Sequence, residues 1–174
     1  MKKLAIVING GGGAGKDTLC EITARHFRVV NVSSIDPIKR IASENGWNGE
    51  KDLRSRKFLA DLKQLFTDYN DLPTRYILEK YSEFLKSDAE IFFVHIREGE
   101  QIAHFVSEAR AVGGEPTTLL IRSKRCEAQY GNASDDDVES YRYDHYYDND
   151  LPLDQVENDF IAFINAIISW LGFS

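Results

Sequence analysis

The chain has 174 residues, of which 43% are hydrophobic, 11% are aromatic and 28% are charged. This composition is typical of one folded domain of about 100–200 residues, and it excludes a disordered or collagen-like chain. Asp and Glu outnumber Lys and Arg by 28 to 21, and the formal net charge of −7 excludes a protein that coats nucleic acid by neutralising its phosphates.

The charge is divided unevenly along the chain. Residues 1–125 contain 20 basic and 17 acidic side chains, whereas residues 126–174 contain 11 acidic side chains and a single basic one, Arg142. The first segment carries a formal charge of +3 and the second one of −10. We therefore expect an anionic ligand, if the chain binds one, to contact the first segment.

The two cysteines, Cys20 and Cys126, form neither a disulfide framework nor a C-x-x-C metal motif. Free thiols of this kind indicate a reducing cytoplasm. The apolar run 4–8 is shorter than the roughly 7–15 residues of a signal peptide, and the apolar segment 160–173 is interrupted by polar residues. We therefore expect no targeting segment and no membrane partner.

Short apolar runs alternate along the chain with segments of helical periodicity, which predicts strand–helix units around a mostly parallel sheet. A helix start is expected at Asp36 and Pro37, with the aspartate as N-cap and the proline in the first turn. In the first half, the pattern predicts strand 4–8, helix 16–27, strand 29–32, and several helices from residue 36 to about 86, broken near 46–49 and 69–71.

The second half continues the same alternation. It predicts strand 91–96, helix 98–111, strand 117–121, a polar flap over 123–143, a short strand at Tyr146 and Tyr147, and helix 153–171. The last helix has an apolar stripe that we assign to the core. The expected architecture is one α/β domain with five strands between two helical layers.

A glycine-rich segment lies between the first predicted strand and the first predicted helix. It comprises Gly10, Gly11, Gly12, Gly13, Ala14, Gly15, Lys16, Asp17 and Thr18. Gly10, Gly15 and Lys16 match the G-x-x-x-x-G-K spacing of a phosphate-binding loop. Glycine permits the positive φ angles and the close backbone approach that let N–H groups converge on phosphate oxygens, and the following helix adds its positive N-terminus. We therefore expect ATP to bind here.

The loop departs from its usual pattern at Asp17, where Ser or Thr is expected. A carboxylate at this position could still hold Mg²⁺, either directly or through water, and Thr18 could offer its hydroxyl to a phosphate. The alternative is a flexible glycine-rich turn without a ligand, which the strand–loop–helix context disfavours.

The string Gly15-Lys16-Asp17-Thr18 resembles the P-loop nucleotide and metabolite kinases, particularly the phage-type deoxynucleoside monophosphate kinases and the adenylate kinase-like group. Residues 36–39, 95–100 and 143–150 resemble three further segments of these kinases in the same order. His95 stands where the group usually has an acidic residue. The resemblance implies a P-loop kinase fold with a helical acceptor-binding insert at about 34–88 and a lid at about 122–143. It also implies ATP and Mg²⁺ as cofactors.

Phosphoryl transfer depends on positive charge at the transferred group, so arginines from several segments should converge on one site. We assign catalytic roles to Lys16, Arg97, Arg122 and Arg125, and acceptor binding to Asp36, Lys39, Arg54, Arg56 and Arg97. Each arginine could instead form a surface ion pair. Asp36 could orient the acceptor or a metal-bound water, or only cap its helix.

The sequence thus favours an enzyme that moves the γ-phosphoryl group of Mg-ATP to a nucleoside or deoxynucleoside monophosphate, as a monomer or a homodimer. One alternative is a kinase for a non-nucleotide phosphorylated metabolite of the dephospho-coenzyme A or phosphomevalonate type. Another is a P-loop nucleotide-binding protein or ATPase without a small acceptor.

Overall fold

A computed structural model describes residues 3–127 and 138–172 of the chain. In these residues a five-stranded sheet forms with the order β2-β3-β1-β4-β5, and every strand pairing is parallel. The strands are β1 (Leu4–Asn9), β2 (Val29–Ser33), β3 (Ile91–His95), β4 (Thr117–Arg122) and β5 (His145–Asp148). The expected α/β fold with five strands is therefore confirmed.

Helices connect successive strands and cover both faces of the sheet. In the described part of the chain they are α1 (Lys16–Ala24), α2 (Asp36–Glu44), α3 (Leu53–Asn70), α4 (Leu72–Lys86), α5 (Gly99–Ala111), α6 (Lys124–Glu127) and α7 (Leu153–Trp170). Three of these, α2 to α4, lie between β2 and β3, where the sequence predicts several helices. Both expected breaks occur, and the second coincides with the left-handed backbone of Asp71.

The hydrophobic core has one half on each face of the sheet. All six residues of β1 are buried, as its uninterrupted apolar sequence predicts for a central strand. Helices α1 and α7 pack on one face, with Leu19 and Phe160 among the fully buried side chains. Helices α4 and α5 pack on the other, where Phe84 and Phe105 are fully buried.

The predicted N-cap of α2 is wrong by one residue. Ile35 occupies the N-cap position and Asp36 is the first helical residue. The Asp36 carboxylate accepts a hydrogen bond from the backbone N–H of Ser33 at 2.7 Å, so it satisfies the end of β2 instead of the helix. Helix α1 also ends earlier than expected, at Ala24 rather than near residue 27.

The described part of the polar segment expected to form a flap is anchored to the core by two buried side chains. Val138 and Tyr143 are buried, and the Tyr143 hydroxyl donates a hydrogen bond to the Val138 carbonyl at 3.0 Å. The middle of the expected lid, which includes Asp135 to Asp137, lies outside the described residues. Among residues 3–127 and 138–172, no helix is long and apolar enough to cross a membrane.

Candidate active site

The glycine-rich loop begins where β1 ends and leads directly into α1. Gly10 has a φ of 150°, and a Cβ at this position would lie well inside 3.0 Å of the Ile121 carbonyl oxygen in β4. Gly15 has a φ of 88°, and a Cβ there would meet the Asn149 side chain just as closely. Glycine is therefore required at both ends of the loop, because the backbone is held tightly between β4 and the residue that follows β5.

Lys16 begins α1 and folds back over the loop. Its Nζ donates hydrogen bonds to the carbonyl oxygens of Gly10 at 2.5 Å and Gly11 at 3.0 Å. The ammonium group thus lies close to the loop backbone, beside the positively polarised N-terminus of α1. Asp17 and Thr18 are exposed in the first turn of the same helix.

His95 lies at the carboxyl end of β3, next to α1. Its Nε2 donates a hydrogen bond to Asn31 Oδ1 at 2.8 Å, and the Cys20 sulfur lies 3.8 Å away. Burial raises the pKa of the Cys20 thiol, so this cysteine is a protonated, unreactive core residue. Cys20 therefore packs in the core.

Four charged side chains act on His95. Its pKa is lowered first by burial, and then Lys16 and Lys39 lower it while Asp17 and Asp36 raise it. Two of these charges come from the start of α1 and two from the start of α2. The carboxyl edge of the sheet thus brings the loop residues and the predicted acceptor residues of α2 around the same histidine.

Asn9 is buried at the end of β1 and orders the entrance to the loop. Its Oδ1 accepts from the Gly10 N–H at 2.9 Å, and its Nδ2 donates to the Arg97 carbonyl at 3.0 Å and to the Tyr143 hydroxyl at 2.8 Å. Burial raises the pKa of Tyr143 to about 12, so the phenol stays neutral. Arg97 is thereby fixed next to the loop, and its side chain is exposed.

Asn149 connects the loop to the base of the expected lid. Its Nδ2 donates to the Ala14 carbonyl at 2.9 Å, and its backbone N–H donates to the Arg122 carbonyl at 2.8 Å. Its own carbonyl accepts from Arg125 Nη2 at 3.1 Å. Arg125 is therefore bound to the residue whose side chain contacts the loop. The sequence around Asn149 does not indicate this role, although the residue belongs to the segment 143–150.

Arg122 has different partners from Arg125. Its guanidinium pairs with the Glu139 carboxylate, with Nη2 to Oε2 at 3.0 Å, and lies 4.5 Å from the centre of the Tyr146 ring. Both members of the ion pair are exposed, so the pair contributes at most about 1 kcal/mol. The two arginines predicted to act together do not converge in this structure.

Arg54 and Arg56 also point in different directions. Both are exposed in the first turns of α3, and residues two apart on a helix lie about 200° apart around its axis. Arg56 shares its side of α3 with Lys63, one residue of a pair that spans α3 and the start of α5. Lys63 Nζ lies 2.7 Å from both carboxylate oxygens of Glu98, and its side chain is only 12% exposed. Arg56 therefore lies on the same side of α3 as the Lys63–Glu98 pair, and Arg54 lies on the opposite side.

The donor set at the loop suits a metal ion that is bound together with phosphate. Among residues 3–127 and 138–172, no group of three or more His, Cys, Asp or Glu is arranged to hold a metal ion. Mg²⁺ requires only one or two carboxylates when substrate phosphates and water supply its other oxygen ligands. The exposed carboxylate of Asp17, next to Lys16, fits that requirement, whereas His95 offers no oxygen ligand.

A surface cavity of about 430 Å³ lies at the opposite edge of the sheet, near Thr117 and Trp170. Thr117 begins β4, whereas the glycine-rich loop contacts the carboxyl end of that strand. Ligands of open parallel α/β sheets bind at the carboxyl ends of the strands, so this cavity is not the candidate active site.

Comparison with known structures shows that the chain has the P-loop kinase fold. Thymidylate kinase from Ehrlichia chaffeensis aligns over 97% of this chain and 100% of its own, at 13% identity and a TM-score of 0.51. The APS kinase CysC of Mycobacterium tuberculosis, in complex with AMPPNP and APS, aligns over 94% of this chain and 98% of its own, at 11% identity and a TM-score of 0.52. TT1252 from Thermus thermophilus aligns over 98% of this chain and 99% of its own, at 18% identity and a TM-score of 0.54. No family model matches the chain, and no curated protein matches it.

Proposed function

We propose that this protein transfers the γ-phosphoryl group of ATP to the phosphate of a small acceptor, and that the acceptor is a nucleoside or deoxynucleoside monophosphate. The observation that carries the proposal is the tightly held glycine-rich loop, with Lys16 folded over its carbonyls and Arg97 and Arg125 tethered beside it. A P-loop kinase fold alone fits several functions, so the residues at this edge of the sheet supply the specific support.

On the donor side, the loop N–H groups and the N-terminus of α1 would bind the phosphates of ATP. Lys16 would move from the Gly10 and Gly11 carbonyls to the β- and γ-phosphates, where its charge stabilises the transition state. Arg125 is tethered near the loop through Asn149 and would stabilise the same charge. Arg122 would need to leave Glu139 to do so, at a cost of at most about 1 kcal/mol.

On the acceptor side, the exposed guanidinium groups of Arg56 and Arg97 would bind the acceptor phosphate. Arg97 follows β3 beside the loop, and Arg56 faces the site from α3. Asp36 and Lys39 lie at the start of α2 and would contact the acceptor too; their effect on the same histidine as the loop residues supports this assignment. Arg54 lies on the opposite side of α3 from Arg56, so the proposal gives the acceptor contact to Arg56.

Asp17 is the residue that would hold Mg²⁺, directly or through water. When bound, Mg²⁺ would neutralise phosphate charge as the transition state forms. His95 would remain a neutral imidazole, because burial lowers its pKa. Its hydrogen bond to Asn31 would position the edge of the sheet next to α1.

The proposal is tested by incubating the protein with Mg-ATP and a panel of acceptors while ADP release is followed. The panel contains the ribonucleoside and deoxynucleoside monophosphates, dephospho-coenzyme A, and phosphomevalonate. Lys16→Ala should lower turnover by about 10²-fold or more. Lys86→Ala, on the exposed side of α4, is the matched control and should leave turnover unchanged.

Turnover that requires a nucleoside monophosphate would support the proposal. Turnover with only a non-nucleotide acceptor would replace the proposed acceptor class but retain phosphoryl transfer. ATP hydrolysis that is independent of every acceptor, or unchanged turnover in Lys16→Ala, would contradict the proposal.

A further inference from the structure

Helix α3 carries an apolar face that is largely exposed among the described residues. Phe58, Leu62, Leu65 and Tyr69 follow the spacing four, three, four, which places them on one side of the helix over about three turns. Phe58 is 42% exposed, Leu65 is 65% exposed and Tyr69 is 83% exposed. Leu62 is half-buried. A continuous stripe of large apolar side chains in contact with water marks an interaction surface.

This apolar face of α3 is separate from the proposed active site. Lys63, which pairs with Glu98 on the site side, is two positions from Leu65 and therefore lies about 200° around the helix. Arg56 lies on the same side as Lys63 because seven residues make about two turns. A partner on the apolar face would thus leave the acceptor residues accessible.

Basic and acidic side chains are separated along the exposed flank of the apolar face. Arg54 and Lys57 lie near the start of α3, whereas Asp61 and Asp68 lie further along the same flank. Lys57 and Asp61 form an ion pair one helical turn apart, at 2.5 Å. The flank is therefore basic at its beginning and acidic towards its end.

We propose that the apolar face of α3 binds the same face of a second copy of this chain, with the two helices antiparallel about a two-fold axis. In that arrangement Phe58 lies opposite Tyr69 of the second copy, and Leu62 lies opposite Leu65. The same two-fold axis brings Lys57 of each copy next to Asp68 of the other. A parallel arrangement would instead place the two charged flanks on opposite sides of the contact, where Lys57 and Asp68 of different copies would not meet.

Symmetric pairing through one self-complementary surface is the commonest form of protein association. If each ring has about 200 Å² of surface, the exposed fractions of Phe58 and Tyr69 leave about 250 Å² of ring per copy to be buried. With Leu62, Leu65 and the charged flank, the contact would bury on the order of 1,000 Å² in total, at the lower end of specific interfaces. The dimer is therefore weak and depends on protein concentration.

Sedimentation velocity of the full chain over a range of concentrations tests the proposal. The mass should rise from 19.8 kDa towards twice that value as the concentration increases. Leu65→Glu should remain a monomer, because each copy would place a carboxylate in the apolar contact. Leu153→Glu is the matched control, since Leu153 is 76% exposed at the start of α7 and lies outside the apolar face. It should associate like the unmodified chain.

The antiparallel arrangement is tested by exchanging charges. Lys57→Glu and Asp68→Lys should each weaken association by about tenfold, because each change acts twice in a symmetric dimer. An equimolar mixture of the two variants should associate at least as well as the unmodified chain, since each contact again joins opposite charges. Circular dichroism confirms that the variants are folded.

A monomer at every concentration would overturn the proposal. Association that survives Leu65→Glu would overturn the assignment of the surface. A mixture that associates no better than its components would overturn the antiparallel arrangement.

Discussion

Replacing Gly15 by alanine tests how the phosphate-binding loop is held against the residue that follows β5. The new Cβ would lie well inside 3.0 Å of Asn149 Nδ2 and would adopt a φ of 88°. The left-handed backbone costs roughly 1–2 kcal/mol for a residue with a Cβ. Displacing the Asn149 amide would also leave the Ala14 carbonyl without its hydrogen bond, at a cost of about 1–3 kcal/mol. We therefore expect the free energy of unfolding to fall by about 2–5 kcal/mol.

Urea unfolding followed by circular dichroism measures this loss, with Gly12→Ala as the matched control. A Cβ on Gly12 would meet nothing within 4 Å, so that variant should change the free energy of unfolding by less than about 0.5 kcal/mol. In an Asn149→Ala background, Gly15→Ala should cost only the backbone share of roughly 1–2 kcal/mol. Equal losses for Gly12→Ala and Gly15→Ala, or an undiminished loss in the Asn149→Ala background, would refute the contact between loop and Asn149.

Three further predictions concern the arginines of α3, Arg125 and His145. Arg56→Ala should raise the acceptor KM by about tenfold in steady-state kinetics, whereas Arg54→Ala should leave it unchanged, since Arg56 shares the side of α3 that carries Lys63 and Arg54 does not. Arg125→Gln should lower kcat by about 10²-fold, because its charge acts on the transferred group, while the free energy of unfolding in urea should fall by no more than about 1.5 kcal/mol, the share of one hydrogen bond. Burial lowers the pKa of His145 below its usual value of 6.5, so folding disfavours its protonation and stability is lost as the pH falls through that range. The free energy of unfolding should therefore fall less between about pH 7 and pH 5 in His145→Phe than in the unmodified protein. Equal KM values for Arg54→Ala and Arg56→Ala would contradict the first prediction, and an unchanged kcat in Arg125→Gln would contradict the second. The third would be contradicted if the free energy of unfolding of His145→Phe and of the unmodified protein changed equally with pH.

The central part of the fold could be predicted because its signals are local. An uninterrupted apolar run followed by glycines and a lysine defines β1, the loop and α1 together, and each residue acts on its neighbours in the chain. The apolar stripe of α7 was predicted for the same reason, since Val156, Phe160, Ile164 and Ile167 recur at helical spacing and all are buried.

The tethers of the site could not be predicted because they join distant segments. Asn149 lies 135 positions from the Ala14 carbonyl that it binds, and Asn9 lies 88 positions from Arg97. A single asparagine in a polar stretch carries no sign of its partner. Asp36 shows that a local signal can also mislead. Its position before a proline predicts an N-cap, but its carboxylate accepts a hydrogen bond from the nearby Ser33 N–H instead.

The arginines illustrate how direction decides function. Arg54 and Arg56 have the same sequence context, yet the helix separates them by about 200°. Arg122 and Arg125 are three positions apart, but the end of β4 lies between them, and they contact Glu139 and Asn149 respectively. Residue type and spacing indicate a supply of positive charge, whereas only the backbone geometry determines which charges reach the loop.

The most direct test of the proposed chemistry is a phosphorus NMR spectrum of the products formed from Mg-ATP and the preferred monophosphate. Phosphoryl transfer predicts ADP and a new nucleoside diphosphate in equal amounts, with both lost together in Lys16→Ala. Release of inorganic phosphate with the monophosphate left unchanged would show that water accepts the phosphoryl group, and would contradict the assignment of this site to a kinase.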